Sequence, residues 1–139
     1  MKLFVNVDVP SIADAARFYV AALGFRVGRT MGPDMIELLG LEVPIYLLEK
    51  PARSGAVPDT DAIARTYARH WTPVHMDIVV DAIEPAVARA DAAGAVRESD
   101  ITEHAYGRMA LYSDPWGNGF CLLEMNARGY DAITTAPER

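Results

Sequence analysis

Two stretches in opposite halves of the chain carry the same alternation, and this internal duplication restricts the possible folds more than any other feature. Residues 3–9, LFVNVDV, set Leu3, Val5, Val7 and Val9 against Phe4, Asn6 and Asp8. Residues 74–80, VHMDIVV, set Val74, Met76, Ile78 and Val80 against His75, Asp77 and Val79. A period of two marks a strand with unlike faces, here one apolar face for a helix and one face lining something wetter. A helical stripe follows each strand. In the first, Ile12, Ala15, Ala16, Tyr19, Val20 and Leu23 recur at helical spacing, with Ser11 and Asp14 as a start signal and Gly24 as a stop. In the second, Ile83, Ala86, Val87 and Ala90 form the stripe and Gly94 ends it.

Strand-like stretches come next in both halves, at 25–31, 35–40 and 44–49, then at 96–101, 108–113 and 119–125. The last of each set share a core, IYLLEK at 45–50 and FCLLEM at 120–125. The pattern predicts an α+β chain of two tandem βαβββ units. Unit one covers about 1–50, a linker about 51–70, unit two about 71–126 and a tail 127–139, all within a single domain. The linker, PARSGAVPDTDAIARTYARHW, opens with Pro, Gly and Ser, and its second part is expected to form a short amphipathic helix.

Composition narrows the function. A chain of 139 residues can bury a core without disulfide or metal staples. The net charge of −6 argues against nucleic acid and against an anionic membrane surface as partners. One cysteine makes no intrachain disulfide, so nothing calls for an oxidising compartment. The opening MKLFVNVDVP lacks a signal-peptide core and no run is long enough to span a membrane, so a cytoplasmic location is the default expectation.

Two such units in tandem, with FYVAALGF ending the first helix and DPWGN before the last strand, resemble the vicinal oxygen chelate superfamily of glyoxalases, extradiol dioxygenases and bleomycin-resistance proteins. The resemblance covers residues 3–125. It implies that the two curved sheets form a cup with the helices outside, and that members assemble as homodimers. The apolar strand sets would then pack under the helices, and Phe4, Asn6, Asp8, His75, Asp77 and Val79 would face the cup. In metal-dependent members the ligands, usually His, Glu or Gln, come from the first and last strand of each unit. Carried over, those positions are Phe4, Tyr46, His75 and Cys121. Counting seven residues from Asp114 of the turn reaches Cys121, and the shared LLE places Tyr46 at its counterpart.

Phenylalanine has no donor and a neutral tyrosine is a poor ligand, so the usual metal set is incomplete. Glu124 has the wrong strand parity to replace Cys121. A divalent metal is therefore not favoured. Thiolate and imidazole are nonetheless good zinc ligands, and His75 with Cys121 would need help from Asp77, Asp8, His104 or a partner subunit. The plainer reading of Cys121 is a small buried hydrophobe.

For catalysis the candidates are His75, Asp77 and Asp8, since a carboxylate in an enclosed, partly apolar cup suits a general base. A solvated position at the rim is the competing reading of both aspartates. Ligand-binding candidates are Phe4, Asn6, Tyr46 and Cys121. His104, Tyr106 and Arg108, from TEHAYGRMALYSD, join them as a clamp at the cup mouth for a planar or anionic molecule. DPWGN itself reads as a structural turn.

Three functions remain open. The leading one is a glyoxalase- or bleomycin-resistance-like protein that binds a small organic molecule in the cup without the usual metal. Resistance-type members of the superfamily sequester aromatic or cationic compounds, and the acidic charge here suits a cation. The second is a divalent-metal-dependent lyase, isomerase or dioxygenase with a rearranged ligand set. The third is a structural or interaction protein whose cup is filled by Phe4 and Tyr46.

Overall fold

The alternation in the first strand sorts its side chains onto two faces of a sheet, as expected. In the computed structural model, which describes residues 1–58 and 60–135, Val7 and Val9 of strand β1 (Val5–Val9) are buried and Asn6 is exposed. The chain divides into two compact units, Met1–His70 and Trp71–Arg139.

In the first unit β1 leads into helix α1 (Ile12–Leu23), then strands β2 (Arg26–Thr30), β3 (Met35–Leu39) and β4 (Ile45–Glu49). The sheet order is β1-β4-β3-β2, with β1 parallel to β4 and the other pairs antiparallel. Ser11 caps α1 by accepting from Asp14 N, and Gly24 closes it at φ 72°. Ile12, Ala15, Ala16, Phe18, Tyr19 and Ala22 are the helix's buried set, whereas Val20, on the expected stripe, is 39% exposed.

The second unit repeats this plan. Strand β7 (Met76–Val79) precedes helix α2 (Ile83–Ala92), followed by β8 (Val96–Arg97), β9 (Thr102–His104), β10 (Gly107–Ser113) and β11 (Gly119–Met125). The order is β7-β11-β10-β8, with β9 also pairing with β10, and β7 runs parallel to β11. A 3-10 turn, Gly129–Ala132, follows. The architecture is thus α+β with tandem βαβββ units.

The repeated LLE core now has a physical meaning. Glu49 Oε2 accepts from the first amide of α1, Ile12 N, at 3.0 Å. Glu124 Oε2 accepts from the first amide of α2, Ile83 N, at 2.7 Å. Each last strand thereby places a carboxylate on the unpaired, electropositive start of its own unit's helix. In α2 the N-cap residue, Ala82, makes no side-chain cap, so Glu124 takes that role.

The structure departs from the sequence expectations at element ends and in the linker. Leu3 and Val74 are 66% and 78% exposed rather than packed under helices. The parallel pairing begins only at Val5 with Ile45, because Pro44 has no N–H to extend it. The second part of the linker is a hairpin, β5 (Gly55–Val57) with β6 (Thr60–Ala64), and not a helix. Pro58 interrupts any helical run there and favours a turn. Of the strand expected at 96–101 only β8 (Val96–Arg97) forms, and β9 begins beyond it at Thr102, because Leu111 N donates to the Ser99 hydroxyl at 2.9 Å instead of to a backbone carbonyl. The DPWGN turn is built as expected, the buried Asp114 carboxylate accepting from Trp116 N and Asn118 N, both at 2.9 Å.

Candidate functional site

Strand register decides which side chains meet. In unit 2 Asp77 of β7 lies directly opposite Cys121 of β11, and His75 precedes β7 on the same face as Asp77. His75 Nε2 stands 3.3 Å from Asp77 Oδ1. One ligand atom from each of His75, Asp77 and Cys121 falls within 4.8 Å of the others. Cys121 is 5% exposed, while His75 and Asp77 are open to solvent, so the thiol forms the floor of the cluster and the other two its rim.

The Cys121 thiol is pushed up to about 12, first by burial and then by the neighbouring Asp77 carboxylate. It is a neutral thiol and lacks the low pKa of a reactive cysteine nucleophile. The order of contacts also differs from a nucleophilic triad. The carboxylate sits in the middle, whereas a nucleophile needs the imidazole there as its base.

Unit 1 presents the same positions with other residues. Asn6 pairs with Tyr46 across β1 and β4 as Asp77 pairs with Cys121, and Phe4 precedes β1 as His75 precedes β7. The Phe4 and Tyr46 rings meet edge to face, 5.5 Å apart at 86°. The Tyr46 hydroxyl donates to Glu37 Oε1 at 3.1 Å and accepts from Arg29 Nη2 at 3.2 Å. Arg29 also gives Glu37 three bonds, from Nη2 at 2.6 Å, from Nε at 3.0 Å and from its backbone N at 3.1 Å. These hold the Glu37 carboxyl down at about 2, the Arg29 side chain contributing most and its backbone amide next. Gly28 leaves the room: a Cβ there would stand 2.6 Å from Glu37 Oε2. Beside this network lies a cavity of about 280 Å³ lined by Phe4, Asn6, Arg29, Met31, Met35 and Tyr46.

Sequence reasoning found Phe4, Asn6 and Tyr46 but missed Glu37 and Arg29. The available signal was a lone carboxylate inside the apolar strand MIELL. Asp8 lies on the expected face, but it is taken up by an ion pair with Arg65 Nε at 2.7 Å. Arg65 also donates to Ser54 Oγ and to the Gly55 carbonyl, so Asp8 fastens the linker hairpin to β1. His104 and Tyr106 stack at 5.0 Å and 3°, and Tyr130 of the 3-10 turn joins them at 5.3 Å.

Arg108 does not share the face of Cys121. It pairs in register with Glu124, the N-terminal cap of α2, and its guanidinium binds Glu124 at 2.8 Å and also Glu84 of α2. Strand parity explains this correction: Leu111 opposes Cys121, so Arg108, an odd number of residues away, points to the helix. Arg108 secures α2, its guanidinium held by Glu84 and Glu124 on the helix side of the sheet. Glu124 points to the helix as expected.

The four-position metal set implied by the resemblance does not fit these residues. Phe4 offers no donor, and the Tyr46 oxygen is committed to Glu37 and Arg29.

Comparison with known proteins assigns the family. The family model described as a glyoxalase-like domain matches residues 4–123, and the chain belongs to this family. No curated protein matches the chain. Among solved structures, a glyoxalase/bleomycin resistance protein/dioxygenase family enzyme from Burkholderia phytofirmans is 19% identical, with 88% of this chain and 97% of that one covered at a TM-score of 0.68. The fosfomycin resistance protein FosX from Listeria monocytogenes is 13% identical, with 92% and 95% covered at a TM-score of 0.67. A glyoxalase/bleomycin resistance protein/dioxygenase from Nocardioides is 16% identical, with 100% and 89% covered at 0.63. These likenesses establish the fold. Among the described residues no helix is long and apolar enough to cross a membrane.

Proposed function

We propose that this protein binds a small, planar, largely apolar organic molecule in the unit 1 cavity, without using the metal set that the resemblance implies. The observation that supports this reading is the cavity lined by Phe4, Asn6, Arg29, Met31, Met35 and Tyr46. Its volume of about 280 Å³ lies at the small end for ligand sites, which suits a fragment-sized molecule. Two aromatic rings and two thioethers supply apolar, polarisable walls. Arg29 brings little unbalanced charge, because Glu37 already answers it. The Asn6 side chain, with no hydrogen-bond partner among the described residues, is left to read a donor or acceptor on the ligand's edge. A protein whose open face was filled by its own side chains would not keep this space.

Thermal unfolding in the presence of a panel of neutral and cationic planar aromatic compounds tests the reading. A ligand at a hundred times its Kd stabilises the fold by about 2.7 kcal/mol, an easily measured rise in Tm. Phe4→Ala and Asn6→Leu alter exposed side chains and are expected to remove that rise while leaving the unliganded Tm nearly unchanged. No rise with any compound, or a rise that both variants retain, would refute it. The homodimer expected from the resemblance belongs to the same proposal, and light scattering in solution measures it directly.

A further inference from the structure

We propose that His75, Asp77 and Cys121 form a zinc site built wholly within unit 2, replacing the four-position site shared between units that the family resemblance implies. The inference is independent of the organic ligand proposed for unit 1.

Geometry is the first support. For four-coordinate zinc with bonds of about 2.0–2.3 Å, adjacent donors stand roughly 3.3–3.6 Å apart. His75 Nε2 and Asp77 Oδ1 are already 3.3 Å apart. The whole donor set lies within 4.8 Å, so closing on an ion needs a contraction of about 1 Å. The His75 side chain, 59% exposed, is free to turn and supply it. The two strands fix the rest, since Asp77 and Cys121 are register partners.

Donor chemistry is the second. A cysteine present only as a buried hydrophobe has no need to stand beside a carboxylate and an imidazole, yet the Cys121 sulfur lies within 4.8 Å of a donor atom of both Asp77 and His75. Thiolate, carboxylate and neutral imidazole together carry the two negative charges that balance a divalent cation. Sulfur ligation selects zinc over magnesium, calcium and manganese, which prefer oxygen. On binding, a zinc–sulfur bond replaces the S–H bond, the proton passes to solvent, and no electron moves. The exposed rim at His75 and Asp77 leaves a fourth position to water or a small ligand, as in zinc sites with three protein ligands.

The test uses full-length, tag-free protein stripped by a chelator and titrated with zinc against a chromophoric competitor, then with cobalt(II). The expected result is one zinc per chain, and a thiolate-to-cobalt charge-transfer band in the near ultraviolet. Because the chain has one cysteine, that band reports Cys121 alone. Cys121→Ser is expected to abolish the band and weaken zinc binding at least about 100-fold, since even second-layer losses cost about 10–100-fold. His75→Ala, a change at an exposed side chain that leaves the fold intact, is expected to weaken zinc binding similarly. Failure to bind zinc at micromolar concentrations, cobalt bound without the band, or binding that His75→Ala retains would each overturn the proposal.

Discussion

Gly107→Ala and Gly94→Ala form a matched pair that separates backbone strain from collision. Both glycines lie in unit 2 at positive φ, 148° at Gly107 and 91° at Gly94. A Cβ at Gly94 meets nothing within 4 Å, so that variant bears only the conformational cost, about 1 kcal/mol. A Cβ at Gly107 would stand 2.0 Å from the Glu124 carbonyl oxygen and 3.0 Å from Met125 Cα. Relieving that requires β10 and β11 to part by about 1 Å against a normal spacing of about 4.8 Å. One or two ladder hydrogen bonds, each worth about 1 kcal/mol, are lost on top of the conformational term. The total is about 2–3 kcal/mol, a substantial share of a domain's stability. For a chain of this size it lowers Tm by about 6–9 °C, against about 3 °C for Gly94→Ala. Both tryptophans, Trp71 and Trp116, belong to unit 2, so the fluorescence transition reports the unit that carries the substitutions. Equal shifts for the two variants, or a drop below about 3 °C for Gly107→Ala, would refute the steric argument.

Three other outcomes follow from the polar contacts. The Glu37 carboxyl is held near 2 from an ordinary 4.5, so its stabilising effect is complete above pH 4.5 and fades as the pH falls toward 2. Glu37→Gln is expected to flatten the pH dependence of urea unfolding in that window. Tyr112, 1% exposed and donating to Asp91 Oδ1 at 2.7 Å, is pushed up to about 12 by burial and by Asp91. Its contribution is intact below pH 10 and is lost as pH rises to 12, a change of about 2–3 kcal/mol that Tyr112→Phe should remove. Glu124→Gln is expected to lower Tm more than Glu49→Gln, because Ser11 also caps α1 while α2 has no side-chain cap of its own at Ala82; an equal loss would mean the repeated glutamates do not act as caps.

The sequence revealed faces better than edges, for a physical reason. A period of two is imposed by every residue of a strand, so β1 and β7 could be read with the correct sides. The same parity placed Glu124 toward the helix, and it would have placed Arg108 there too had it been applied to β10. Strand ends depend on the partner strand: Pro44, far from Leu3 in sequence, stops the pairing that would have covered it. The linker hairpin depends on a long-range bond, Arg65 to Asp8, that no local pattern encodes. Glu37 was missed for a related reason. A carboxylate in an apolar strand looks like an exposed residue until Arg29, on the neighbouring strand, is known to reach it.

The duplication makes its strongest point where the copies differ. Phe4, Asn6 and Tyr46 in unit 1 occupy the register positions of His75, Asp77 and Cys121 in unit 2. Backbone geometry is therefore nearly held constant between the two sets, and side-chain chemistry alone separates them. In unit 1 the set is two rings and an amide, with its one hydroxyl consumed by Glu37 and Arg29. In unit 2 it is an imidazole, a carboxylate and a thiol within 4.8 Å. The first set has almost nothing to offer a cation and an apolar surface to offer a ring, while the second has the reverse. The resemblance implies a single set of metal donors divided between the halves. In this chain all three potential donors at these positions lie in one half, and the other half keeps the cavity. Replacing Asp77 by Asn, the residue at the equivalent position in unit 1, is the smallest step between the two chemistries. It removes one donor charge without changing shape, and is expected to weaken zinc binding while leaving ligand-induced stabilisation through Phe4 and Asn6 unchanged. Loss of both responses together would show that the two halves do not act as separate sites.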